Sequence, residues 1–544
     1  MLVMSDYIAL RSPLSNMGFT PDVPSNALGP SEYNSGKNVE SDVRGVKKIA
    51  GEQYILSTIP GHVIYVDGGF TTPTAFAFIV ATREGIWYRV DAGGITNITP
   101  GVGANPNVTL SGYTDDTRIT TSWVGQVFFI NDTLRPPMYY SAATQTEIYI
   151  YDAAPQYYVW NYENTLSPAV TSVTAAFVRN YCSPNVGNIL IAGNLTKTYS
   201  TGQTLNFATT VRWSQSFANT GVPATWLPTV TNVANEVEIP VRGPIIDGFF
   251  LGGNFYVCSY WDTVAFTPIN YQNSTAPIFG IRLFSQGRGL INTNCWCNND
   301  TVVYGIDSRD IWVFNGSEFV SIGNQKVKNY FYGNINKTYY DRIFMVNNTQ
   351  KYQIEIYYPD LTSTGFCNKM LSYRYDLNVW NAPKDVQTAC NGAESPVYSS
   401  GFNFASRTVV YAQGGVSSSQ LIQTGQTNGF CGNPIDSLFE RTNIALEDSN
   451  GPIPYSSKVY LHRLYPEVSG TGVINATVGG ANSTAQTPVY GQTGTMAINT
   501  DTPWITTQQN NPRMSSVKIE TNDSTDTWNV TALNWQATLA EDSF

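Results

Sequence analysis

The feature that most restricts how this chain can fold is a long succession of short apolar runs, alternating or continuous, each closed by Gly, Pro, Asn or Asp. His62 to Val66, Ala75 to Ala81, Val127 to Ile130, Asn254 to Ser259, Gln353 to Tyr358 and Thr408 to Ala412 all read this way. Such runs between turn residues are strands, and neighbours recur at about ten residues, the spacing of sandwiches, barrels and propellers. Apolar stripes of helical period are nearly absent, so the expected class is all-β.

Several segments look alike: Gly85-Ile-Trp-Tyr-Arg-Val, Asp310-Ile-Trp-Val-Phe-Asn-Gly and Ser372-Tyr-Arg-Tyr-Asp-Leu-Asn-Val-Trp-Asn. Each is a strand with an aromatic face closed by a polar turn. A repeat of that kind is what a propeller leaves in sequence, because every blade buries the same face against its neighbour. The texture changes near Cys431 to Asp448, where Asp436-Ser-Leu-Phe-Glu-Arg-Thr could begin a short helix with Asp436 as its N-cap. Beyond it, Val459 to Val468, Gly472 to Gly479, Ser515 to Glu520 and Trp528 to Leu539 suit a small sandwich. The expected division is an N-terminal arm joining the propeller (1–60), a β-propeller-like body (61–435) and a smaller C-terminal β-sandwich-like domain (436–544).

Charge narrows the function. The net charge is −10, against the clustered Lys and Arg that a nucleic-acid-binding face needs. Charged residues are only 13% of the chain, with 34 Tyr and 12 Trp beside them. Such aromatic enrichment favours pleated, half-buried surfaces. The seven cysteines are odd in number and scattered, which suits reduced thiols from assembly in a cytoplasm better than a disulfide framework. Met1 to Leu14 carries Asp6 and Arg11 within its apolar stretch, so no secretion signal is expected there, and Ala75 to Ala81 is far short of the roughly 20 apolar residues a bilayer demands, so no membrane insertion is expected.

The usual constellations of chemistry are missing. His62 and His462 are the whole supply of imidazole, and each is expected to be structural. Cys295-Trp-Cys297 lacks the second pair that a zinc site needs, and its residues read as alternate positions on a strand. No catalytic residue, metal or cofactor is expected. Paired carboxylates, Asp115 with Asp116 or Asp307 with Asp310, keep a glycoside hydrolase open as an alternative, and a carbohydrate-binding receptor module at 436–544 is a third possibility.

Three stretches together resemble the tail nozzle or hub proteins of short-tailed bacteriophages, also called phage stabilisation or tail tubular proteins. The first runs from Asp22-Val-Pro-Ser through Gly45-Val-Lys-Lys-Ile-Ala-Gly and holds Tyr33, Gly36, Asn38 and Val39 in the family's "aromatic, x, x, Gly, x, Asn-Val" pattern. The second is Trp123 to Tyr140, with Asn131 and Pro136. The third joins Asn188-Ile-Leu-Ile-Ala-Gly-Asn to Val211-Arg-Trp-Ser and Val222-Pro-Ala-Thr-Trp, and so carries Arg212, Trp213, Ser214, Pro223 and Trp226. The resemblance implies a structural virion subunit, made in the host cytoplasm and built into the tail as a homohexameric ring below the adaptor and portal. Its implied partners are the tail adaptor, tail fibre, spike or needle proteins, and genomic DNA passing through the lumen without sequence-specific binding. The motif residues are expected to be structural, with Arg212 and Trp213 forming a cation–π or hydrogen-bonded corner at a blade edge.

Overall fold

The computed structural model describes residues 8–101, 110–153, 156–183, 187–269, 278–444, 446–448, 451–452, 458–483, 486–507 and 512–540. Half of the amino-terminal stretch read for a secretion signal, residues 1–7, lies outside them. The chain is all-β, with a propeller-like body and a smaller sandwich.

Five consecutive four-stranded antiparallel sheets form blades 1 (63–97), 2 (120–150), 3 (170–238), 4 (245–286) and 5 (296–321). An eight-stranded sheet supplies two more, blade 6 (344–380) and blade 7 (384–427). The fourth strand of blade 7 is Gly51–Pro60, which pairs antiparallel with Ser418–Thr427 and ties the start of the chain to the end of the body. The inner strand of blade 7, Lys384–Tyr398, packs on that of blade 1, Val63–Thr72, closing the ring.

Composition explains the blades. Second strands such as Ala75–Thr82 and Asn254–Ser259 are covered on both faces by neighbouring blades, so they read as continuous apolar runs. Ala75–Thr82 is buried from Phe76 onward. Each blade interface holds its own slab of side chains, such as Trp87 with Phe128 between blades 1 and 2 and Trp213 with Phe266 between 3 and 4. In blade 5, Gly305 stands opposite Trp312 in the register, and a Cβ there would lie 2.3 Å from the indole, so only glycine admits the ring.

The sandwich pairs two six-stranded sheets. One is built on Ile435–Ile444, Val473–Ala481 and Met514–Asp523, the other on Lys458–Thr471 and Thr527–Ala540. The amino-terminal segment contributes edge strands to both: Ser35–Lys37 lies against Ile435–Ile444, and Ile8–Pro13 and Val46–Lys48 against Thr527–Ala540. Within 1–60, then, Gly51–Pro60 belongs to the propeller and the earlier paired strands mostly to the sandwich.

The helix expected at Asp436 to Thr442 is instead part of strand Ile435–Ile444. Ile435, Ser437, Phe439 and Arg441 are buried while Asp436 points to solvent, an alternation of period two that overrides a locally plausible N-cap. Asp436 pairs with Lys37 at 2.9 Å. The α-helix that does form among the described residues, Lys328–Asn334, takes its N-terminal hydrogen bonds from far away in sequence. The Asp22 carboxylate accepts the amides of Asn329 and Tyr330 at 2.6 and 2.8 Å.

Candidate functional site: the axis of the body and its junction with the sandwich

Inner strands of the blades converge on an axis, and charged side chains close it. Arg179 of blade 3 donates to Asp247 of blade 4 through Nε and Nη2, at 2.9 and 2.6 Å. Its remaining donors reach the carbonyls of Thr121 and Thr293 at 2.8 and 3.0 Å, so one guanidinium links blades 2, 3 and 4 to the chain leading into blade 5. Trp296 of blade 5 donates its indole N–H to Asp247 at 2.8 Å, with the guanidinium 5.2 Å from its ring. Burial opposes the Arg179 charge, but the Asp247 carboxylate outweighs it and holds the guanidinium above its usual range. From blade 1, Tyr65 donates to Thr121 at 2.7 Å and Thr121 to Asp67 at 2.6 Å. Burial pushes the Asp67 carboxyl up, against these hydrogen bonds and the Arg179 charge. On one side of this plug lies a cavity of about 530 Å³, walled by blades 1, 5, 6 and 7. On the other is a small space of about 40 Å³ beside Arg118 and Arg342.

The Val211-Arg-Trp-Ser stretch lies at the end of strand Thr204–Trp213, where successive side chains serve opposite faces. Trp213 faces blade 4, packs on Phe266 and Phe279 and donates to the Val233 carbonyl at 2.6 Å. Arg212 faces the other way and is fully buried between Glu163 at 2.8 Å and Glu236 at 2.5 Å. Lys197 bridges the same carboxylates at 2.9 and 2.8 Å. The guanidinium lies 4.5 Å from the ring of Tyr162 and 5.1 Å from that of Trp160, and Trp226 meets Trp160 edge-on at 4.7 Å. Burial raises the Glu236 carboxyl, but Arg212 and Lys197 win and hold it below the ordinary range. Ser214 accepts the Leu190 amide at 3.0 Å, and the Pro223 carbonyl accepts the Tyr151 hydroxyl at 3.0 Å. Asn131 clamps blade 2 to blade 3 by donating to the Ala175 carbonyl at 3.1 Å, while Pro136 is partly exposed in the next turn.

The amino-terminal motif occupies the junction of the two units. Tyr33 is fully buried, packs tilted against Phe19 and edge-on against Phe439, and accepts the Ala382 amide at 3.2 Å. A Cβ on Gly36 would lie 3.0 Å from the Tyr33 ring, 3.1 Å from Ala382 and 3.2 Å from the Leu438 carbonyl. Asn38, in the left-handed region at φ 54°, donates to Asp385 of blade 7 at 2.9 Å and to the Asp436 carbonyl of the sandwich at 2.7 Å. Its side-chain oxygen accepts the Asp385 amide at 2.8 Å. Val39 is buried beside it. Next come charge pairs that sequence reading missed: Glu40 with Lys47 and Lys351 at 3.3 and 3.2 Å, and Glu52 with Lys384 at 2.7 Å. Their signal was available, because in a chain so poor in charge an ionic residue inside an apolar run marks a buried pair.

The carboxylates weighed for hydrolysis do not stand free. Asp115 lies 3.7 Å from Arg83 and Asp116 2.6 Å from Arg342. Asp307 and Asp310 share Arg288 at 3.1 and 3.0 Å, and Asp307 also accepts the amides of Arg309 and Asp310. Cys295 and Cys297 are both buried, with burial pushing both thiols well up. His62 lies 2.7 Å from Glu84, and His462 3.1 Å from the Thr538 hydroxyl. Among the described residues, no group of His, Cys, Asp or Glu could hold a metal ion, and no helix is long and apolar enough to cross a membrane.

No family model matches the chain. No curated protein matches it either. Among solved structures, the computationally designed Ika8 protein aligns over 68% of this chain and 99% of its own, at 9% identity and a TM-score of 0.34, a likeness too slight to argue from.

Proposed function

We propose that this chain is a structural virion protein, one subunit of the nozzle ring at the end of a short bacteriophage tail. In that role it extends the DNA channel below the adaptor and portal, and retains and then releases the genome. The observation that carries the reading is the junction. The amino-terminal block in which the resemblance begins is shared between sandwich and body, and one continuous apolar core runs from Trp535 and Leu464 through Tyr33, Phe439 and Trp380 to Tyr358. Two units welded in this way move as one piece, which suits a subunit that must present two fixed complementary patches for a ring to close.

The closed axis adds a geometric demand. With Arg179 drawing blades 2, 3 and 4 and the lead into blade 5 together at the centre, the subunit's own axis offers DNA no passage, so in this reading the channel lies between subunits. A net charge of −10 suits a wall along which phosphate slides. Mass photometry of the purified chain at micromolar concentration tests the reading. A hexamer is expected, and a lone monomer under all assembly conditions would contradict it.

A further inference from the structure

We propose that the cavity walled by blades 1, 5, 6 and 7, with Asp67 and Trp296 in its lining, binds a neutral saccharide of one or two rings. The inference stands independently of whether the chain forms a ring. A volume of about 530 Å³ lies within the range of small-ligand sites. Its walls join aromatic rings to hydrogen-bonding groups, the pairing that recognises a sugar: ring faces cover C–H surfaces while amides and carboxylates take up hydroxyls.

Tyr352 stands at the lip. It closes the turn Thr349–Lys351 in the left-handed region at φ 54°, is 54% exposed, and meets Tyr375 edge-on at 5.9 Å. The left-handed cap of this turn sets the ring over the cavity mouth. Trp296 lies deeper, fixed by its bond to Asp247. On the wall between them, Asn347 donates to the Asn298 carbonyl at 2.9 Å, while its side-chain oxygen is buried with no hydrogen-bond partner among the described residues. A buried acceptor left without a donor is costly, and a small turn of the Asn347 side chain into the cavity would bring that oxygen to a ligand hydroxyl.

The charges select the class. Asp67, Asp300 and Glu394 line the cavity, and the cation among its lining residues, Arg407, is directed to Glu394 at 3.3 Å. An anionic sugar, a phosphate or a nucleic acid would meet these carboxylates. A wholly apolar ligand would strip water from them without replacing its hydrogen bonds. A polyol offers donors to both the carboxylates and the Asn347 oxygen.

The test uses the full chain, with saturation-transfer NMR and calorimetry. The probes are methyl glycosides and disaccharides of glucose, galactose and N-acetylglucosamine, with glucuronic acid and spermidine as charged controls. The expected result is millimolar or tighter binding of at least one neutral sugar, weakened about tenfold by Tyr352→Ala through loss of the stacking face. Asn347→Ala should weaken it as well, and glucuronic acid should bind less well than the neutral sugar. Tyr352 is exposed, so its variant keeps the wild-type melting temperature and separates lost binding from lost folding. The proposal is overturned if no neutral sugar binds, if spermidine alone binds, or if Tyr352→Ala leaves sugar affinity unchanged.

Discussion

Arg179 of blade 3 grips Asp247 of the neighbouring blade 4 through two hydrogen bonds of 2.9 and 2.6 Å, and the Trp296 indole donates to the same carboxylate. Asp247 is fully buried and Arg179 largely so. Arg179→Met therefore strands a buried carboxylate, and a loss of roughly 3–5 kcal/mol is expected in urea denaturation. The double variant Arg179→Met/Asp247→Leu should recover much of that loss, because the penalty lies in the orphaned charge and not in the missing pair. A loss in the double variant equal to the sum of the two single losses would show that the pair is not coupled.

Asn38 ties body to sandwich, and its two contributions can be separated. Asn38→Gly keeps the left-handed backbone and loses the side-chain hydrogen bonds to Asp385 and Asp436, whereas Asn38→Ala loses both. Calorimetry should rank wild type above Asn38→Gly above Asn38→Ala, with the last down by roughly 2–4 kcal/mol.

The junction is also acid-sensitive. Burial raises the Glu40 carboxyl, but Lys351 and Lys47 outweigh it and hold its pKa at about 2, from an ordinary 4.5. Between those values the unfolded chain binds more protons at this group than the folded chain. Its stabilising contribution is therefore whole above the ordinary value and drains away as pH falls towards about 2. Urea midpoints measured across that window should fall less steeply for Glu40→Gln than for the wild type. An unchanged slope would remove Glu40 from the account.

The thiols report packing. Cys182 is exposed, whereas Cys258, Cys295, Cys297 and Cys367 are buried. Burial pushes the Cys258 thiol up to about 12. A thiol reagent followed by peptide mapping should modify Cys182 in the native protein and those four only after denaturation. Prompt labelling of Cys295 or Cys297 would mean that the blade 5 packing is wrong.

Strand content was the most legible part of the sequence, because period and turn residues act locally. Ala75 to Ala81 and Gln353 to Tyr358 were readable from their runs alone. Strand Ile435–Ile444 was misread because Asn-Pro-Ile-Asp imitates a helix start, and only its pairing with Met514–Asp523 and Ser35–Lys37 decides otherwise. The corner at Arg212 could be anticipated, since an arginine between apolar neighbours demands partners. Those partners, Glu163, Lys197 and Glu236, sit in three other places along the chain, and nothing local names them. The axial plug and cavity were invisible for the same reason: Asp67, Arg179, Asp247 and Trp296 come together only when the ring closes.

Cryo-electron microscopy of assembled tails bearing this chain tests the central claim most directly. The account predicts copies arranged around a common lumen, with DNA density between subunits and none along the subunit axes that Arg179 and Asp247 close. Density threading a subunit's own axis, or tails from which the chain is absent, would contradict it.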